Sequence, residues 1–178
     1  MPPANRTEFA ILGLLAAGPK SGYDIKKEVE EKLSHFWSAS YGHLYPVLES
    51  LRRRNLVERR REEQEGRPAR YVYSLTEDGW RELRDWFARP AEYAKPRNEL
   101  LLRVFFGELT EPATLVREIE RFRSRSAANL ELLRHVMREL EASRGERERY
   151  WLLTVEYGVR VMEALVAWCD DALRVLDA

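Results

Sequence analysis

From Leu152 to Leu176 the apolar residues Leu152, Val155, Val159, Met162, Val166, Cys169, Leu173 and Leu176 recur at alternating steps of three and four. A period of 3.5 puts all eight on one stripe of a helix about seven turns long, and such a stripe has to be covered by another helix. A second long helix precedes it. Leu115, Ile119, Phe122, Leu130, Leu133, Met137 and Leu140 also step mostly by three and four. Thr110-Glu111-Pro112 opens that helix, since proline is tolerated in a first turn, and Ser143-Arg144-Gly145 separates the two. With a short apolar segment at Glu99–Gly107, everything beyond residue 90 reads as helical.

The first half is organised differently. Phe9, Leu12, Leu15 and Ala16 share a helical stripe after Thr7, a good N-cap, and Gly18-Pro19 stops it. Ser21-Gly22-Tyr23-Asp24 opens a second helix with Ile25, Val29 and Leu33 inward. A third runs from about Ser40 to Arg54, its core stripe Leu44, Val47, Leu48 and Leu51; Pro46 belongs near its first turn or kinks it. From Val57 to Thr76 the pattern is that of a β-hairpin, with a turn at Glu65-Gly66-Arg67-Pro68 and alternation at Tyr71, Tyr73 and Leu75. Thr76 then caps a fourth helix that begins with Glu77 and Asp78 and presents Trp80, Leu83, Trp86 and Phe87 on its apolar side. Arg89-Pro90 and the residues to Pro96 break the pattern. The expected fold is therefore mainly α, with one domain at residues 1–90 and an all-helical one at 91–178.

Three helices, a hairpin and a helix within about 90 residues is the order of a winged helix-turn-helix. A DNA major groove admits one α-helix, and a β-hairpin beside it reaches the backbone or the minor groove. The third helix is the candidate reader, because Ser38, Ser40, Tyr41 and His43 gather short polar and aromatic groups near its start. Lys20, Ser21 and Tyr23 open the helix that would cross the phosphate backbone, and Arg67 and Arg70 flank the hairpin turn. Charge agrees. The chain holds 30 basic and 30 acidic residues, which excludes an indiscriminate polyanion binder, yet residues 52–70 contain eight arginines against four glutamates.

Several longer runs carry a resemblance. Phe9-Ala10-Ile11-Leu12-Gly13-Leu14-Leu15, Ser21-Gly22-Tyr23-Asp24-Ile25 and the run from Trp37 to Leu48 resemble the PadR family of transcriptional regulators. Gly66-Arg67-Pro68-Ala69-Arg70-Tyr71-Val72-Tyr73-Ser74-Leu75-Thr76-Glu77-Asp78-Gly79 is similar to that family's wing, and Trp151-Leu152-Leu153-Thr154, Gly158 and Trp168-Cys169 to its larger helical extension. The resemblance implies a homodimeric repressor on double-stranded, pseudo-palindromic operator DNA, dimerised through its C-terminal helices, often around a small aromatic or apolar effector. Asn55 departs from the glycine many relatives have after the reader helix, and asparagine can also adopt a left-handed cap. Trp37, Trp86, Phe105, Phe106, Trp151 and Trp168 are the aromatics from which an effector site would be drawn, although such residues most often serve a core or a dimer interface.

Other chemistries find little footing. His35, His43 and His135 have no metal-ligand spacing with Cys169, and no nucleophile–base order, phosphate-cradling loop or paired-carboxylate motif stands out, so neither metal, cofactor nor enzyme activity is expected. The lone Cys169 lies on the helical seam, where a buried thiol is expected. No apolar run nears the roughly 20 residues of a membrane span, and the start lacks a signal-peptide pattern, so a cytoplasmic setting is expected. The alternatives from other classes are a winged-helix protein-interaction adaptor and a ligand-binding helical module.

Overall fold

The structure is a computed structural model that describes residues 6–37, 44–64, 67–91, 97–143 and 145–176. The chain forms two compact units, Met1–Tyr93 and Ala94–Ala178. In the first, α1 (Arg6–Leu15) is followed by a two-residue strand β1 (Lys20–Ser21), α2 (Gly22–Glu28) continued by a π-helical turn (Val29–Leu33), α3 (Leu44–Arg53), β2 (Val57–Gln64), β3 (Arg67–Leu75) and α4 (Glu77–Ala88). The strands form an antiparallel sheet in the order β1-β3-β2, with Lys20 opposite Tyr73 and Arg61 opposite Tyr71. Helix α1 starts at Arg6, so Thr7 is its second residue rather than its cap; a capping residue marks a helix start only to within a residue or two. Strand β1 is too short to leave an alternating pattern.

The helices enclose one core. Ile11, Leu12, Ile25, Leu48, Leu51 and Val57 are wholly buried, and Leu44 and Val47 nearly so, which is the inward stripe expected of α3. Pro46 is the third described residue of α3, and the start of the helix before Leu44 lies outside the described residues. The helix ends on Asn55 at φ 60°, with the Asn55 N–H donating to Arg52 O (3.0 Å) and the Leu56 N–H to Leu51 O (2.9 Å), a left-handed cap that satisfies two orphan carbonyls. Helix α4 behaves otherwise than its pattern implies. Of its four apolar residues only Leu83 is buried, while Trp80, Trp86 and Phe87 are exposed, because α4 meets α1 and β3 along a narrow strip.

The joint between α3 and α4 is tight. The Thr76 hydroxyl donates to Asn55 O (2.6 Å) and accepts from the Gly79 N–H (3.0 Å), and Asn55 Nδ2 donates to Asp78 Oδ2 (3.0 Å). A Cβ on Gly79 would stand 2.0 Å from Leu56 O.

In the second unit, α5 (Glu99–Phe105) starts from the Asn98 side chain, which accepts from the Leu101 N–H, and a single 3₁₀ turn (Gly107–Leu109) leads to α6 (Pro112–Ala142) and α7 (Glu146–Leu176). Pro112 is in the first turn of α6, and Leu130, Leu133, Val155 and Val159 form the shared core. Ser126 is buried on the α6 stripe, filling the step of eight between Phe122 and Leu130 that the apolar pattern leaves open. Across the pair, Arg123 bonds Asp170 (2.5 Å) and Arg134 bonds Glu163 (2.8 Å). Cys169 is wholly buried, and burial pushes its thiol up, so it sits as a packing residue.

Gly79→Ala is expected to lower unfolding stability by about 2–3 kcal/mol, because the intruding methyl meets backbone rather than a movable side chain; thermal denaturation checks it. A second expectation concerns Glu28, which accepts from Lys20 (2.5 Å) and Lys32 (2.8 Å). Its burial favours the neutral form, but the two lysines outweigh that and hold the carboxyl below its ordinary value. A depressed carboxylate contributes stability that is present above the unfolded-state value near 4.5 and is lost as pH falls through the folded one. Glu28→Gln should therefore lower stability by about 1 kcal/mol at neutral pH and narrow the gap to wild type below pH ~4, as read by melting at several pH values.

Candidate nucleic-acid interface

The two helices of the motif meet at a glycine. A Cβ on Gly22, at the start of α2, would stand 2.8 Å from Cε1 of Tyr45, so the absence of a side chain lets α3 lie directly against α2. Tyr45 remains 63% exposed beside that contact. Of the expected reader residues, Ser38, Ser40, Tyr41 and His43 lie outside the described residues; Tyr45, Arg52 and Arg53 continue the outer side of α3 away from the core.

At the foot of α2 the expected phosphate-contacting residues divide. Ser21 is buried and makes a capping box: its Oγ donates to Asp24 Oδ2 (2.7 Å) and accepts from the Asp24 N–H (3.2 Å), while its own N–H donates to Asp24 Oδ2 (3.1 Å). The Ser21 bonds, with Arg70 and Lys20 nearby, hold the Asp24 carboxyl below its ordinary value. The Lys20 ammonium is turned in to Glu28, whereas Tyr23 is 70% exposed. Of these three, Tyr23 presents the most surface to a partner.

The wing has two chemically distinct faces. Directly paired residues share a face, so Glu58, Arg60, Glu62, Arg70 and Ser74 lie on one side, and Arg59, Arg61 and Tyr71 on the other, beyond the buried Val57 and Tyr73. On the first, Arg70 donates to Glu62 (2.8 Å) and stands 3.7 Å from Asp24, which ties β3 to α2. On the second, the Arg59 guanidinium lies 4.3 Å from the Tyr71 ring centroid, a cation–π pair on an exposed ring. Arg53, Arg59 and Arg60 have no carboxylate within 4.0 Å among the described residues, whereas Arg52 is held by Glu49 and Arg54 by Glu8. Of Arg67 only the backbone is described, opposite Gln64 beside an irregularity in the pairing. The Arg59–Tyr71 pair was not among the expected site residues. Its signal is a diagonal one, visible only once the hairpin register is known.

The six candidate effector aromatics divide between the two units. In the first unit Trp37 is half-buried, its indole N–H lacking an acceptor among the described residues, and Trp86 stacks on Phe9 with centroids 4.9 Å apart. In the second, Phe105 and Phe106 meet edge to face at 5.0 Å and are exposed. Trp151 and Trp168 are half-buried on α7, about 25 Å apart along its axis, too far to touch one small ring together. Phe106 also floors a cleft of about 440 Å³ with Leu102 and Leu115. No helix of the described residues is long and apolar enough to cross a membrane.

Comparison with known proteins agrees with this architecture. Residues 11–85 match the model of the transcriptional regulator PadR-like family, and residues 96–177 match that described as virulence activator alpha C-term. The negative transcriptional regulator PadR of Bacillus subtilis is 36% identical over 100 residues, a stretch that spans 56% of this chain and 55% of that protein. The crystal structure of B. subtilis PadR in complex with operator DNA is similar with a TM-score of 0.89 at 26% identity, covering 98% of this chain and 99% of that one. The same relative in complex with p-coumaric acid gives a TM-score of 0.81 over 96% and 98%. With a winged helix-turn-helix in the first unit and a paired-helix second unit matching the two models in order, the chain is similar throughout to PadR-like transcriptional regulators.

Proposed function

We propose that the protein is a cytoplasmic, homodimeric repressor that acts by binding rather than by catalysis. Residues 1–90 hold operator DNA, and residues 91–178 dimerise and respond to a small aromatic or apolar effector. The observation that carries this is the likeness, over nearly the whole chain, to a relative solved on operator DNA. The exposed cations Arg53, Arg59 and Arg60 around α3 and the wing support the same reading, since phosphate neutralisation supplies most non-specific affinity.

In this reading Tyr41 and His43 read base edges in the major groove. Ser38, Ser40, Lys20, Ser21 and Tyr23 line the backbone beside it, and Arg67 and Arg70 bring the wing to the phosphates. Two such readers on a two-fold axis require half-sites about 34 Å apart, hence a pseudo-palindrome. The relative solved with p-coumaric acid supports an aromatic effector, which would stack on a subset of Trp37, Trp86, Phe105, Phe106, Trp151 and Trp168. It releases DNA only by binding one arrangement of the dimer better than the other.

Fluorescence anisotropy on DNA from upstream of its own gene, at several salt concentrations, tests this. Arg67→Ala is expected to reduce the slope of log K against log salt by about 1 in every sequence context. Tyr41→Ala should cost roughly 1–3 kcal/mol on the operator and little on unrelated DNA. Wild-type protein that binds both DNAs equally, or neither, would overturn the reading.

A further inference from the structure

The hairpin is fixed at its root by the joint of Asn55, Thr76 and Gly79, and at its waist by β1, whose Lys20 and Ser21 pair with Tyr73 and Val72. Beyond Val72 the strands run on as a two-stranded ribbon, which has little rigidity of its own. A brace stands there. Arg70 Nε donates to Glu62 across the ladder (2.8 Å), and its Nη1 lies 3.7 Å from Asp24 Oδ2 in the first turn of α2. Asp24 is itself immobilised. Its Oδ2 accepts from the Ser21 N–H (3.1 Å) and the Ser21 hydroxyl (2.7 Å), and Ser21 is buried in β1. One carboxylate thus closes the cap of α2, grips the strand beside β3 and faces the arginine of the wing. The Ser21 bonds, with Arg70 and Lys20, hold it below its ordinary value, so it is charged at neutral pH.

We propose that Asp24 and Arg70 are positioning residues for DNA binding: the pair braces the outer part of the wing against α2, and neither side chain touches DNA. This rests on the DNA-binding reading above and moves Arg70 from the phosphates to the brace. Charge decides between the two parts. One guanidinium there faces two carboxylates, Glu62 and Asp24, so the group is net negative. Lys20, which also acts on Asp24, is turned in to Glu28. A phosphate brought to Arg70 therefore meets two like charges, whereas Arg59 and Arg60 on the same hairpin have no carboxylate within 4.0 Å among the described residues. The partly exposed pair adds little stability, but it sets a direction. Arg67 lies three residues further along β3, about 10 Å away, so a tilt of the ribbon at Arg70 carries Arg67 off any phosphate it meets.

The test measures fluorescence anisotropy on DNA from upstream of its own gene and on unrelated DNA, using the full chain with Asp24→Asn and Arg70→Gln, singly and together. Circular dichroism checks folding. Asparagine still accepts from Ser21, so the first variant keeps the cap and loses the charge. Each single variant is expected to weaken binding to the upstream DNA about fivefold and to change binding to unrelated DNA by less than about twofold, since unrelated DNA is held through interchangeable charge contacts. The double variant should lose about the same fivefold, not the product of the two losses. The sign at Asp24 is decisive. On charge alone, removing an acidic group from a DNA-binding surface strengthens binding, so a loss has to come through position. Asp24→Asn that binds the upstream DNA as tightly as wild type or more tightly overturns the brace, and so does a double variant whose loss is that product. Arg70→Gln that weakens both DNAs equally also overturns it, because a uniform loss is the mark of a phosphate contact. Should Asp24→Asn not fold, that comparison decides by itself. Each of these failures leaves DNA binding standing, whereas wild-type protein that does not distinguish the two DNAs overturns the DNA-binding reading and the brace with it.

Discussion

The first unit depends on the joint where the end of α3 meets the start of α4. Asn55 turns the chain out of the helix at positive φ, and its carbonyl takes the Thr76 hydroxyl that also caps α4. Leu56 O accepts from the Thr76 N–H, and Gly79 packs on the same carbonyl. One residue thus ends α3, and another both closes the hairpin and opens the next helix. The two strands between them leave this joint side by side and have no choice of register near it. The direction of the wing relative to α3 follows from a few short hydrogen bonds and the absence of one methyl group.

What was legible in the chain follows from how local each signal is. The order of elements, the inward stripe of α3, the cap at Thr76 and the apolar stripes of α6 and α7 rest on spacings within one helix or one hairpin, and each can be read from neighbours. The misreadings come from longer range. Trp80, Trp86 and Phe87 look like core because they share a side with Leu83, but a helix side is buried only as far as something lies against it. Strand β1 exists because β3 offers it an edge. Ser126 hides in the α6 stripe because a small hydroxyl residue breaks an apolar pattern without breaking the packing.

The interface was legible as a region and less so as a set of side chains. Arginine density around the hairpin pointed to the wing, yet composition does not say which guanidinium is already engaged. Arg52, Arg54 and Arg70 are held by Glu49, Glu8 and Glu62, and the exposed pairs among these contribute little stability. They do fix where a side chain rests before any partner arrives. Arg59, lying on Tyr71, is held by a neutral ring and makes no ion pair within 4.0 Å among the described residues. Acidic residues here therefore select which basic groups are presented, and a chain of zero net charge can carry a basic surface.

The burial of Cys169 has a practical side. Sealed between the two long helices with its thiol held protonated, it is poorly placed to react with labelling reagents, and it is the chain's sole cysteine. A cysteine engineered at an exposed wing position would consequently be the one reactive thiol of the native protein. A fluorophore or spin label could be attached there without first stripping the background, and distances within the assembly could be followed in solution.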